Sequence, residues 1–328
     1  MTMKELAKLA GVSSSAVSRY LNGGSLSQDK RDRIKKAIEM TGYQPNAAAQ
    51  MLRTRTTNYV GLIISKMDSD AATRVTRGVT NALARDGYLA LLANASNDPE
   101  KEVEYIRLFQ NRKVAGIILM ATVMTPQLEE LLKTTSVPII VVGQRFRQVP
   151  CVYHDDFGAA YDLTGLLLKK GRKKLALIGV TEKDVAVGQN RRRGVEAAMA
   201  DMALDPSDLI YTVGDFTLDS GRAAMEQLLD NQSDIDGLIC ATDRMAFGAI
   251  DVLQKKGFRI PEDISVVGFD NDWAGQLISP HLTTAEFYHT ASGESAVSLL
   301  MDMLDKEAET SPLMQTMLGY RIVERDSV

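Results

Sequence analysis

The chain has 328 residues, more than one compact core usually holds, so two or three domains are expected. Hydrophobic residues make up 45% and charged residues 24%, a globular composition, and no apolar run is long enough to span a membrane. The net charge of −4 hides an asymmetry: residues 1–56 carry ten basic and four acidic residues, leaving 28 basic and 38 acidic for the remainder. A small basic head on an acidic body suggests that the head alone meets a polyanion, although a solvated charged surface has the same balance.

The first residues are charged and lack the apolar stretch of a signal peptide, so a cytoplasmic protein is expected. Cys151 and Cys240 sit in apolar stretches and read as small core residues rather than a disulfide pair. Three histidines and two cysteines without metal-ligand spacing argue against a metal site.

In chain order, residues 3–10 read as a helix capped by Thr2. Gly11 follows as a stop that tolerates positive φ. Ser13 caps a second helix, Ser14 to Leu21, and Ser27 a third, about Gln28 to Met40. Leu6 and Ala10, and then Val17 and Leu21, are spaced four apart to make a small core closed by Val12, with Ile34 and Ile38 covering it. Two short helices around a glycine turn form a helix-turn-helix. The second helix presents Ser14, Ser15 and Arg19, side chains suited to base edges or phosphates, whereas a run of serines alone is merely a helix start. After Pro45, Asn46 is a natural cap for an alanine-rich helix of about two turns, too short to be stable alone. It reads either as a linker or as a hinge that orders on DNA and pushes Leu52 into the minor groove.

From Tyr59 onward apolar strands alternate with helical segments: 59–64, 89–93, 116–120, 138–142, 175–180, 209–213, 237–241 and 265–269. Near-continuous apolar runs suit parallel strands buried on both faces. The expectation is a body of two Rossmann-like α/β lobes with a ligand at the strands' carboxyl ends. Lobe 1 is placed at about 59–156 and 286–316. Lobe 2 is placed at about 157–285 and 317–328, ending in a strand near Met317–Val323. The head is placed at 1–44 and the hinge and linker at 45–58.

Enzyme signatures are missing. There is no Gly-x-Gly-x-x-Gly after a first strand and no Gly-x-Ser-x-Gly elbow, and Gly165 to Gly171 fails the P-loop spacing. His154 beside Asp155 and Asp156 mimics an acid–base cluster without a nucleophile. A non-enzymatic protein without a cofactor is expected.

The runs Ala7-Lys-Leu-Ala-Gly-Val-Ser13, Val17-Ser-Arg-Tyr-Leu-Asn22, Gly42-Tyr-Gln-Pro-Asn46 and Ala49-Gln-Met-Leu52 resemble, in order and spacing, the head and hinge of LacI/GalR-family repressors. The resemblance implies base contacts from Ser14, Ser15 and Arg19, phosphate contacts from Thr2, Ser13, Asn22 and Ser27, and Leu52 as the minor-groove wedge. Ser18, Asn46, Ala49 and Arg53 complete the candidate DNA-contact set. The body resembles the family's effector domain, a periplasmic-binding-protein-like fold. There Asp270 matches the acceptor of sugar hydroxyls and Arg191 the arginine three residues before Gly194. Phe216, Thr242 and Asp243 match further pocket positions, although Asp243 serves equally as a helix cap and Phe216 as core. Gln144 departs from a carboxylate that some members carry. Arg145, Asp156 and Phe157 complete the candidate effector set.

The segments around Cys151–Gly158, Gly179–Gly188 and Cys240–Asp243 look like the sucrose- and trehalose-operon subgroup. Lys66 falls where trehalose-type repressors hold a phosphate, so a phosphorylated sugar is expected, with Arg145 and Arg191 adding charge. A neutral sugar, with Lys66 a solvated loop lysine, is the rival. The resemblance thus implies a homodimer, or a tetramer, on a pseudo-palindromic operator, repressing carbohydrate-utilisation genes until a sugar or sugar phosphate binds. The alternative is a repressor aided by a co-repressor, a purine or a phosphoprotein. A plain solute-binding protein is the competing class, opposed by the helix-turn-helix.

Overall fold

A computed structural model describes residues 1–21, 24–43, 57–231, 234–305 and 313–328, which divide into two units, 1–57 and 58–328. The expectations for Asn22, Asn46, Ala49, Leu52 and Arg53 lie outside the described residues.

Among the described residues the head holds α1 (Met3–Leu9), α2 (Ser14–Leu21) and α3 (Gln28–Thr41). Thr2 starts α1 with a reciprocal box. Its hydroxyl accepts from the Glu5 N–H at 3.3 Å, while its own N–H donates to the Glu5 carboxylate at 2.7 Å. Gly11 adopts φ +62°, which turns the chain between α1 and α2 without a Cβ penalty. Leu6, Val17 and Ile34 are fully buried, one from each helix, with Val12, Leu21 and Ile38 packed partly buried against them. Ser27 flanks α3, but its side chain makes no cap hydrogen bond, contrary to expectation.

The body runs β1 (Tyr59–Ile64), α4 (Asp70–Arg85), β2 (Leu89–Asn94), α5 (Pro99–Asn111), β3 (Gly116–Met120), α6 (Pro126–Thr134), β4 (Ile139–Val142) and β5 (Cys151–His154). Then come α7 (Asp156–Lys169), β6 (Leu175–Gly179), a π-helical turn (Val185–Asn190), α8 (Arg191–Asp201), β7 (Ile210–Val213), α9 (Leu218–Asn231) and β8 (Gly237–Cys240). The last elements are α10 (Asp243–Lys255), β9 (Ser265–Phe269), β10 (Thr283–Phe287), α11 (His289–Asp305), β11 (Gln315–Leu318) and β12 (Tyr320–Val323).

Two six-stranded sheets result. The lobe 1 sheet, in the order β11-β5-β4-β3-β1-β2, is parallel throughout. The lobe 2 sheet, in the order β12-β10-β9-β8-β6-β7, is parallel except that β12 runs antiparallel to β10. Helices cover both faces, and the central strands are buried apolar runs. The edge strand β2 is not: Leu89 and Leu92 are exposed. Both cysteines are buried and free.

The chain passes between the lobes after β5, after β10 and at Gly319. The single strand expected near Met317–Val323 is therefore two. Gln315–Leu318 pairs with β5 in lobe 1, and Tyr320–Val323 pairs with β10 in lobe 2. An apolar run carries no label for the sheet it joins, so pairing partners alone divide it. For the same reason β10 stays in lobe 2 through Phe287, two residues beyond the expected return.

Candidate functional site

In the head, α2 follows directly on the Gly11 turn, with the Ser13 hydroxyl accepting from the Ala16 N–H at 3.2 Å and lying 2.9 Å from the Ser15 hydroxyl. Thr2, Ser13, Ser15, Arg19 and Ser27 are exposed, and Ser14 and Ser18 are half-buried. Ala16 and Val17 face inward, so the α2 face carrying Ser15 and Arg19 is the one left to solvent.

In the body, the carboxyl ends of the strands of both lobes line one cavity of about 160 Å³, open at its mouth. Lobe 1 contributes Lys66 and Gln144. Asp156, Arg191, Phe216, Thr242, Asp243 and Asp270 belong to lobe 2. Arg145 and Phe157, expected here, are not part of this lining. Several lining positions adopt strained backbone, with φ +72° at Phe216 and +103° at Asp270, as at many ligand sites.

Asp270 sits at the end of β9. His289, the first residue of α11, approaches its carboxylate with Nε2 3.2 Å from Oδ1. Burial would raise this carboxyl, but the hydrogen bond and charge of His289, with Arg191 and Arg74 further out, hold it down at about 2. Asp270 is therefore an ionised acceptor, suited to hydroxyl donors. Across the cleft, Arg74 of α4 pairs with Asp70 at 2.6 Å and donates to the Asp270 carbonyl, tying lobe 1 to lobe 2.

Arg191 is almost wholly committed. It pairs with Asp156 at 2.7 Å, donates to the Ala241 carbonyl, and lies over the Phe269 and Phe287 rings at 4.4 and 5.1 Å. A guanidinium stacked and bridged in this way is a fixed wall as much as a ligand donor. Asp243 does not cap α10; Thr242 does, accepting from the Met245 N–H at 3.3 Å. Instead Asp243 accepts from the Thr284 hydroxyl at 2.7 Å and the Asp272 N–H at 2.8 Å, fastening the loops at the end of the lobe 2 sheet. Burial and the nearby Asp270 charge push its carboxyl well above the usual range. Phe216 is both half-core and lining, and the Lys66 ammonium lies 5.3 Å from its ring centre.

Asp184 and His289 are among the site residues that escaped sequence reasoning. Asp184 caps the π-helical turn and accepts from Gln144 across the cleft at 2.6 Å. His289 follows a crossing between lobes and has no periodic signal. His154 was noticed as part of an acid–base cluster, but it is packed against Phe287 and His289, ring centres 4.9 and 5.1 Å away. Burial, with the charge of His289, depresses its imidazole to about 3, so it is neutral and unsuited to acid–base work.

A helix-turn-helix head joined to a two-lobed α/β body with an interlobe cavity is the architecture of a ligand-controlled DNA-binding regulator. Residues 2–46 match bacterial regulatory proteins of the lacI family, and residues 164–328 match the periplasmic binding protein-like domain. The chain is 32% identical over 303 residues to the sucrose operon repressor of Staphylococcus xylosus, covering 92% of this chain and 93% of that one. It is 30% identical over 330 residues to catabolite control protein A of Priestia megaterium, covering 100% and 99%. The solved complex of the transcriptional regulator CelR with cellobiose superposes with a TM-score of 0.76 at 29% identity, covering all of both chains. The chain belongs to the LacI family of bacterial regulatory proteins.

Proposed function

We propose that this chain represses carbohydrate-utilisation genes by binding an operator through its head, as a dimer, and releases it when a neutral sugar occupies the interlobe cavity. The observation that carries the sugar reading is the charge pattern of the cavity. Its lining holds six aspartates, at 70, 156, 184, 243, 270 and 272, against the cations Lys66, Arg191 and Arg244. Each cation already faces carboxylate: Arg191 pairs with Asp156, Arg244 with Asp68 at 3.4 Å, and Lys66 lies in the field of Asp68, Asp215 and Asp270. A phosphate entering here would have to displace these partners to reach a cation. Hydroxyl groups match the arrangement, because ionised acceptors such as Asp270 bond them without bringing new charge. This reading departs from the phosphorylated effector inferred from Lys66, Arg145 and Arg191.

The sugar-operon and cellobiose-binding relatives agree with a saccharide effector. The effector would favour one arrangement of the lobes, and the head, joined to lobe 1, would respond through that shared equilibrium. No catalytic role is assigned, and a cytoplasmic location fits a DNA-binding regulator. Among the described residues no helix is long and apolar enough to cross a membrane.

The test is operator binding by fluorescence anisotropy with sucrose, fructose, cellobiose and their phosphates. Neutral sugar should release the operator, and Asp270→Ala should keep wild-type operator affinity while weakening the sugar about tenfold or more, the worth of a lost charged hydrogen bond. Release by the phosphates alone would defeat the neutral-sugar reading.

A further inference from the structure

Arg145 and Phe157, which stand outside the effector cavity, both line a second one of about 280 Å³. The two cavities share a wall of Gln144, His154, Asp156 and Ala186. Arg145 and Tyr153 reach the second cavity from lobe 1, and Asn190 and Arg193 reach it from lobe 2, so its sides belong to different lobes.

Two carboxylates line this cavity, and each already has a partner of its own. Asp156 is paired with Arg191, and Asp155 caps α7 by accepting from the Gly158 N–H at 2.9 Å. The case of the two arginines is different. Within the Arg191–Arg193 run, Arg191 pairs with Asp156 and Arg192 with Glu182 and Glu196, while Arg193 is exposed with no carboxylate in ion-pair range among the described residues. Arg145 also lacks a carboxylate partner among them. Its Nε donates to the neutral Gln315 amide oxygen at 3.2 Å, and its guanidinium lies 5.9 Å from the Tyr153 ring centre.

Two uncompensated cations thus face one cavity from opposite lobes. They repel each other unless an anion joins them. Guanidinium forks match phosphate oxygens two at a time, and neither arginine's fork is taken up by a carboxylate among the described residues. The remaining boundary is apolar and accessible: Phe157 is 39% and Met317 57% exposed. His154 adds a further unspent group at the shared wall: the residue is 8% exposed and its Nε2 has no partner among the described residues. In the effector cavity, by contrast, Arg191 and Arg244 each hold a carboxylate partner.

We propose that this second cavity is a separate ligand site for a small organic phosphate, held between Arg145 and Arg193, that bridges the two lobes. An occupant gripping both lobes favours the arrangement in which the two arginines share it. It therefore biases operator affinity through the same lobe equilibrium as the sugar, from a site of its own. The site's existence does not depend on what the main cavity binds.

Isothermal titration calorimetry of the full chain, in a phosphate-free buffer, with glucose 6-phosphate and pyrophosphate as probes, tests this. Binding of a probe should weaken at least about tenfold in Arg145→Ala and in Arg193→Ala, each losing charged hydrogen bonds. Lys66→Ala should leave it unchanged, since Lys66 belongs to the other cavity. Both arginines are on the surface, and Arg145→Gln and Arg193→Gln, which keep bulk and polarity, give the same comparison should an alanine variant unfold. Wild-type binding in the arginine variants, loss of binding in Lys66→Ala, or no binding of either probe to the wild type overturns the proposal.

Discussion

The Gln144 side chain joins the two lobes at two points. Its Nε2 donates to Asp184 Oδ1 at 2.6 Å, and its Oε1 accepts from the Ala186 N–H at 3.1 Å. Gln144 is buried at the carboxyl end of β4, and Asp184 is buried at the cap of the π-helical turn. Lobe 1 supplies the amide of this pair and lobe 2 the carboxylate. Burial raises the Asp184 carboxyl, opposed by its hydrogen bonds from Val187 and Gln144.

This clasp stabilises the lobe arrangement in which Gln144 meets Asp184 and Ala186. Gln144→Glu would set a second carboxylate against Asp184 in a buried place, and one of the two must then take up a proton or the lobes must part. Small-angle X-ray scattering of the ligand-free body should show a more open form for Gln144→Glu and for Gln144→Ala. A lost charged hydrogen bond of about 1.5–3 kcal/mol shifts the closed-to-open ratio about ten- to hundredfold. Scattering identical to wild type in both variants would show that other contacts alone hold the lobes.

Glu102, on α5, makes stability depend on pH. It is fully buried, neither carboxyl oxygen has a partner among the described residues, and burial pushes its carboxyl up to about 8. Because the folded value lies above the unfolded one, its favourable protonated state is fully present below the ordinary carboxyl range. That contribution is lost as pH rises towards about 8. In Glu102→Gln this loss disappears, so the variant's melting temperature should gain on the wild type between about pH 5 and pH 8. A constant difference in melting temperature across that range would place Glu102 in a satisfied, ordinary environment.

Gly78 and Gly293 let α4 and α11 meet backbone to backbone. A Cβ at Gly78 would lie 2.1 Å from the Thr290 carbonyl oxygen, and one at Gly293 would lie 2.4 Å from that of Val75. Backbone cannot rotate aside as a side chain does, so the helices must separate. Gly78→Ala should therefore destabilise the body by about 1–3 kcal/mol, the usual cost of overpacking, even though alanine is the better helix former. Denaturant unfolding checks this, and an unchanged midpoint would mean that the helices slide apart freely.

Much of this molecule was legible in the chain because the signals were local. Thr2 and Ser13 cap the helices they precede, Gly11 takes the positive φ that its turn demands, and Leu6, Val17 and Ile34 are spaced to meet. The apolar strands of the body announced parallel sheets, and family-like residues such as Asp270, Arg191 and Phe216 lie in the cavity because strand ends position them. Tertiary structure alone decided the rest. Whether Gln144 faces a sugar or Asp184, whether Arg191 is free or held by Asp156, and whether Arg145 opens on the first cavity or the second depend on partners far along the chain. The division of one apolar run at Gly319 between two sheets is of the same kind. Capping, turn and periodicity arise from neighbours within a few residues, so a linear reading captures them. Charge pairing and strand choice are settled by which distant groups the folded chain brings within a few ångströms.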